Sequence, residues 1–365
     1  MFRMTTDQPH PDDVVVPVTG GPQTIVIQHH SSGGRFAWFR SWVIYSVLSL
    51  SLLANLVMYS AYQDYFSEAG KPVERYHSGD KESQDKLAVI RISGTIMPPY
   101  TSHTLKDIQQ AKDDSHVKGV LLVIDSPGGF VSDSHQIYHK LVELRAVKPI
   151  VVSMRSLAAS GGYYVAMGAG PKARIFAEPT TWTGSIGVII PHYEFLGPDS
   201  PLAKQVGFKA APLKTGEFKD TLSPFRELTT DEQKVWRNML DQSYEQFLSI
   251  IDEGRDTLNL DQIRKLATGQ VFTARDAKAN GLIDEIGFEE DALTELKKQT
   301  GLQTARVVMY YHQAGLLEVL TGAAQGPSAP KGELWQGLME ATVPRAMYYF
   351  SWGGLLPLPG APGAR

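Results

Sequence analysis

"VKGVLLVIDSPGG", Val117 to Gly129, decides the fold class. Its centre, Val120–Ile124, is apolar without alternation, which fits a strand buried on both faces of a sheet. It stops at Asp125-Ser-Pro-Gly-Gly129, a run of chain breakers. Upstream, "LAVIRISGTI" (Leu87–Ile96) is a β-branched run closing on Gly-Thr, and downstream "PIVVSM" (Pro149–Met154) is another short apolar run. Between the last two, "SDSHQIYHKLVELRAV" sets Ile137, Leu141 and Leu144 at helical spacing behind a Ser132 cap. A small-residue helix is expected after Ser156, in "SLAASGGYYVAMGAG" (Ser156–Gly170). Strand, helix, strand, helix is the alternation of an α/β protein with a mainly parallel sheet.

Farther on, "RIFAE" (174–178) and "SIGVII" (185–190) read as strands. Thr229–Arg255 is a long amphipathic helix capped at Thr229 or Thr230, with Val235, Met239, Tyr244, Phe247, Leu248 and Ile251 as its apolar stripe. "FTARDAKANGLIDEIG" (272–287) reads as helix, glycine stop and short strand, and "DALTELKKQTG" (291–301) as a closing helix.

With 42% hydrophobic and 20% charged residues, the 365-residue chain has ample material for a core. A net charge of −4 without a basic stripe argues against nucleic-acid binding. The absence of cysteine excludes disulfides, thiolate catalysis and cysteine metal sites. Residues 41–63, "SWVIYSVLSLSLLANLVMYSAYQ", carry no charge. As a helix they reach roughly 34 Å, enough for a bilayer core. Trp42, Tyr45, Tyr59 and Tyr62 lie near the ends, and Arg35 and Arg40 precede the run. This pattern predicts a single-pass anchor with its N-terminus in the cytoplasm and the rest of the chain on the extracytoplasmic side of the cell membrane.

Two glycine pairs follow neighbouring strands. Gly128-Gly129 is a tight strand-to-helix turn or a backbone cradle for an oxyanion. Ser160-Gly161-Gly162 is a helix cap or a nucleophile held where the backbone must pass close. A nucleophilic serine needs a base. His135 and His139 stand four apart, but Gln136 replaces the glutamate of a zinc-protease motif, so the pair reads as a solvated helix face. A lysine serves only where burial or a neighbouring cation favours the neutral amine. Lys219, between Phe218 and Asp220 in the loop ahead of the long helix, is a candidate, with an ordinary surface lysine as the alternative.

The segments "DSPGG" (125–129), "SLAASGGYY" (156–164), "TGSIGV" (183–188), "TGEFKD" (215–220) and "GQVFTARDAKANGLIDEIG" (269–287) occur in this order. Together they resemble the signal peptide peptidase A family of membrane-anchored serine–lysine proteases, in its short single-repeat form, over about Leu87–Gly301. The resemblance implies a Clp-protease/crotonase-like fold: a twisted, mainly parallel sheet with flanking helices and a small helical side region. It implies Ser160 as nucleophile, Lys219 as general base and Ser185 as the hydroxyl that orients the lysine. Gly129 and Gly161 would supply the oxyanion hole, and no metal or organic cofactor is needed. Phe130, Val131 and Leu157, next to the nucleophile and the oxyanion turn, are candidates for the substrate pocket. The family implies homo-oligomers that cleave released signal peptides and other short or unfolded chains.

Three features depart from that pattern. Arg155 replaces a small residue before the serine motif, the Ser160–Ser185 interval is longer through "GAGPKARIF", and an aromatic C-terminal extension is added. The expected organisation is a flexible tail (1–34), a membrane anchor (35–63), a polar tether (64–86), a protease domain (87–322) and a Pro/Gly-rich extension (323–365). That extension suits packing on a neighbouring subunit or at a membrane surface, or is a loose tail. Two other classes share the fold: a crotonase-type acyl-thioester enzyme, which needs a carboxylate pair not seen near either glycine pair, and a non-catalytic membrane scaffold.

Overall fold

The computed structural model describes residues 15–16, 25–26, 34–66, 72–192, 213–223, 225–312 and 347–349. The chain divides into two units, Met1–Ser67 and Glu68–Arg365. In the first, α1 (Gly34–Phe66) contains a stretch, Trp38–Leu56, long and apolar enough to cross a membrane. Of the N-terminal tail, only a two-residue antiparallel pair, Val15–Val16 with Ile25–Val26, is described.

The second unit is built on a nine-stranded sheet. Its elements in order are β1 (Val73–Gly79), β2 (Lys86–Ser93), α2 (Tyr100–Asp113), β3 (Val117–Ser126), β4 (Gly128–Phe130) and α3 (Val131–Arg145). Then come β5 (Ile150–Ala159), α4 (Gly161–Ala166), β6 (Ile175–Ala177), β7 (Trp182–Gly184), α5 (Thr230–Gly254) and α6 (Leu260–Leu266). The unit continues through β8 (Val271–Thr273), α7 (Ala274–Ala279), β9 (Glu285–Ile286), α8 (Glu289–Thr300), β10 (Arg306–Tyr311) and β11 (Met347–Tyr349). The main path runs β8-β7-β5-β3-β2-β10-β1, with β6 beside β5 and β9 beside β6. Every pairing in it is parallel except β8 on β7 and β1 on β10. The α/β architecture with a mainly parallel sheet expected from the sequence is therefore present.

Burial on both faces explains the unbroken apolar strands. Val120, Leu122 and Ile124 face a core shared with Ile137, Leu141, Tyr164 and Phe247. Leu121 and Val123 face the opposite side, against Ala292, Leu293 and Leu296 of α8. The Thr229 cap of α5 forms a full capping box with Glu232.

Several local expectations are corrected. Ser156–Ala159 is not helical: it finishes β5, because Ala158 pairs with Ser126 and Leu157–Ala159 pair with β7. Helix α4 starts only at Gly161. Helix α3 is capped from Phe130, and Ser132 donates to the Asp133 carboxylate instead. Ser185–Ile190 does not form a regular strand; the strand is Trp182–Gly184. Val73–Gly79, expected within the tether, is an edge strand paired antiparallel with β10. Only the second half of the α5 stripe is core: Phe247, Leu248 and Ile251 are buried, whereas Val235 and Met239 are exposed.

Candidate active site

Strands β5 and β7 are parallel neighbours, and a serine follows each of them. Ser160 N donates to Gly184 O (2.7 Å), and Ser185 N donates to Gln270 O (2.7 Å). These bonds close the ladder and force the chain to turn at once. Ser160 has φ 53° and Ser185 φ 48°. Non-glycine residues rarely occupy this region, at a cost of order 1–3 kcal/mol each. Leu222, φ 60°, is the third such residue among those described. All three line one cleft of about 1000 Å³, together with Ile189, Trp236 and Tyr349. Strain concentrated around a single cavity marks a functional site.

The two glycine pairs meet beside Ser160. A β-carbon on Gly128 would stand 2.6 Å from Gly161 N, and one on Gly161 would stand 3.0 Å from Gly129 N. Ser126 holds the turn: its hydroxyl donates to Gly94 O (2.6 Å) and accepts from Gly128 N (3.1 Å). Gly129 lies against Ile96, which donates to Gly128 O (2.8 Å) and accepts from Phe130 N (2.9 Å). A β-carbon on Gly129 would be 2.0 Å from Ile96 O, so only glycine fits. In an extended strand the neighbours of Gly129 spend their bonds on Ile96, which turns the Gly129 N–H toward the opposite edge.

Ser160, Ser185, Gly129 and Gly161 thus come together from three sequence regions. Lys219 does not join them. It is exposed, it is not among the residues lining the cleft, and its ammonium has no hydrogen bond or ion pair among the described residues. Its loop is nevertheless anchored beside the cleft. Asp220 pairs with Lys214 (2.5 Å) and Arg226 (2.9 Å), and Arg226 also pairs with Glu232 (2.5 Å) at the start of α5. Trp236 Nε1 donates to Thr221 Oγ1 (2.7 Å). Hydrogen bonds from Arg226 hold the Glu232 carboxyl down at about 2, and those from Arg226 and Lys214 hold Asp220 well below the usual carboxylate range.

Of the pocket candidates, Phe130 pairs with Met347, Val131 packs on the core, and Leu157 is half-buried with its N–H on Asp125 (3.2 Å). None of the three lines the cleft. Arg155 is exposed beside Glu178 (3.8 Å), away from the cleft. The lengthened interval is taken up by a short 3₁₀ turn, Met167–Ala169, and the bend before β6. His139 is exposed, while His135 Nδ1 lies 2.7 Å from the Tyr164 hydroxyl. Sequence reasoning missed Leu222 and Trp236, which carry no motif, and the "MYY" of β11, whose aromatic run was the available signal.

Similarity to known proteins agrees with this fold. The model of peptidase family S49 matches residues 142–303, and that of Clp protease matches residues 81–182. A putative signal peptide peptidase SppA of Enterococcus faecium is 34% identical over 289 residues, covering 76% of this chain and 80% of its own length. The chain belongs to the S49 peptidase family. Among other relatives, a putative protease of Methanocaldococcus jannaschii is 38% identical, covering 58% of this chain and 64% of that protein. Protease 4 of Haemophilus influenzae is 32% identical over 67% of this chain but only 38% of its own length. Membership makes the chain a serine protease that acts on peptide substrates. Ser160 is buried and held at positive φ where β5 ends.

Proposed function

We propose that the protein is a membrane-anchored serine endopeptidase that uses a Ser160/Lys219 dyad to degrade released signal peptides and other short or unfolded chains. The observation that carries this reading is the strained, buried Ser160 beside the N–H groups of Gly129 and Gly161. Ser160 Oγ attacks the substrate carbonyl, and Lys219 takes its proton. The two N–H groups hold the tetrahedral oxyanion, a contribution of about 10²–10³ in rate per donor. Lys219 then protonates the leaving amine, and water releases the acyl group from Ser160. Ser185 orients the lysine amine.

In this reading the loop carrying Lys219 closes over the cleft when substrate binds or when subunits of a homo-oligomer assemble. Removing water from the ammonium favours the neutral base. The anchored loop stem and the cleft-lining Leu222, three residues beyond Lys219, support such a closure. Residues 41–63 form the bilayer anchor, and the arginines before them favour an extracytoplasmic protease unit. The protease domain begins at the edge strand Val73–Gly79. The test is Ser160→Ala and Lys219→Ala, each assayed on unfolded casein and a signal-like peptide. Each is expected to lose at least about 10³-fold in kcat. Full activity in either purified variant refutes the dyad.

A further inference from the structure

Helix α2 turns a polar stripe inward. Thr101, Thr104 and Asp107 are 4%, 7% and 7% exposed. Thr104 returns its hydroxyl to Tyr100 O (3.2 Å), within its own helix. Asp107 Oδ1 lies 2.8 Å from His312 Nε2. The Thr101 hydroxyl and Asp107 Oδ2 have no hydrogen bond among the described residues. Buried polar groups are normally paired, so a stripe with two unused groups asks for a partner from outside the fold.

All three residues line a second cavity of about 560 Å³. It lies beyond the carboxyl ends of β2 and β10, which are parallel neighbours. Crevices at that end of the strands are where open α/β sheets hold ligands. The rim is aromatic. Tyr100 and Tyr311 are half exposed there, and the His103 and His312 rings stack at 4.2 Å.

The charge of the lining has one sign to spare. Arg91 gives its guanidinium to both oxygens of Glu289 at 3.0 Å. Burial holds the His312 ring below its ordinary pKa, with nearby Lys106 acting in the same direction, which favours the neutral imidazole. Asp107 is therefore left without a full counter-charge, and burial pushes its carboxyl up to about 7. A carboxylate with one free oxygen, an adjacent hydroxyl and aromatic faces suits an organic cation that carries N–H donors.

The far wall of the cavity braces the oxyanion turn. Ser93, Thr95 and Ile96 line the cavity. From the same segment, Ile96 N donates to Gly128 O (2.8 Å) and Ile96 O accepts from Phe130 N (2.9 Å). Gly94 N donates to Asp125 O (2.9 Å), and Gly94 O accepts from the Ser126 hydroxyl (2.6 Å). A molecule packed against this wall steadies the strand on which Gly129 rests.

We infer that this cavity is a regulatory site for a small molecule bearing a primary ammonium group, held by Asp107 and Thr101 within the aromatic rim, and that its occupancy favours the oxyanion-binding form of the turn through Ile96. The coupling rests on the proposed role of Gly129 as an oxyanion donor; the binding site does not.

The experiment titrates the full-length protein in neutral detergent with n-butylammonium chloride, and with n-butanol as the uncharged control. Amide exchange over residues 93–107 locates the binding. Affinity for a boroleucine peptide, which forms a tetrahedral anionic adduct with an active serine, is measured with and without the amine, and casein cleavage is followed in parallel. The amine is expected to bind and to protect residues 93–107, with n-butanol and the Asp107→Asn variant each at least about 10-fold weaker. Tyr100→Ala, at the exposed rim where folding is little affected, is expected to weaken binding about 2- to 5-fold. The boronic acid is expected to bind at least about 5-fold tighter when the amine is present. If n-butanol binds equally well, if both variants bind like the native protein, or if the boronic acid affinity does not rise, the inference falls while casein cleavage upholds the protease. If casein stays uncut and the boronic acid does not bind, the proposed catalysis falls with the coupling, and the amine titration alone decides the site.

Discussion

Replacing Gly129 with alanine tests the oxyanion turn most directly. The new β-carbon would stand 2.0 Å from Ile96 O and 2.6 Å from both Ile96 C and N, all of them backbone atoms that cannot swing aside. Strand β4 must therefore move away from Ile96. That motion stretches Ile96 N to Gly128 O (2.8 Å) and Phe130 N to Ile96 O (2.9 Å). Each bond is worth about 1 kcal/mol net, and a buried group left without a partner costs about 1–3 kcal/mol. The expected loss is about 2–4 kcal/mol, or roughly 5–15 °C in Tm for a unit of this size. The same motion carries the Gly129 N–H away from the reacting carbonyl, lowering kcat by about 10²–10³. Calorimetry measures the first effect; kcat on a peptide, taken well below the variant's Tm, measures the second. A Tm within 2 °C of the parent together with unchanged kcat would refute the packing of Gly129 on Ile96 and its role as a donor.

Two further outcomes follow from buried charge. Arg255, 5% exposed, is held by both Asp284 oxygens at 2.9 Å, so Asp284→Ala leaves a buried guanidinium without its counter-charge. A loss of about 3–5 kcal/mol is expected by denaturant titration, and a loss under about 1 kcal/mol would contradict the pair. Glu232 has its folded pKa depressed from 4.5 to about 2 by Arg226, so its stabilisation is present above 4.5 and is lost as pH falls toward 2. Amide exchange across residues 214–223, corrected for intrinsic rate, should stay constant from about pH 7 to 5 and rise below about 4. Opening of that loop already at pH 6 would show that the Arg226 network does not hold it.

The candidate motifs at the two glycine pairs were legible because they follow apolar strand runs. The unbroken Val120–Ile124 run announced a doubly covered strand, and small residues after it announced close backbone approach. What could not be read were elements that carry little apolar signal. Helix α2 buries Thr101, Thr104 and Asp107 beside Ile108 and Ala111, so its inward face is half polar. Strand β1, "VERYHSG", is a sheet edge and shows no core pattern. "SLAA" suits helix or strand by composition, and pairing with β3 and β7 made it strand.

By itself the sequence pointed to a mainly parallel sheet of buried strands, to glycine pairs after two of them, and to Ser160 beside one of those pairs. Local pattern carries this information because burial on both faces demands it. Only the tertiary structure decided that Ser160 and Ser185 follow the ends of neighbouring strands, that Gly129 and Gly161 face one another, that Lys219 stands apart from them, and that Tyr348 pairs with Gly129. These are distances between segments far apart in the chain. They are set by how strands register and how backbones meet where no side chain intervenes, and a single stretch of sequence does not encode them.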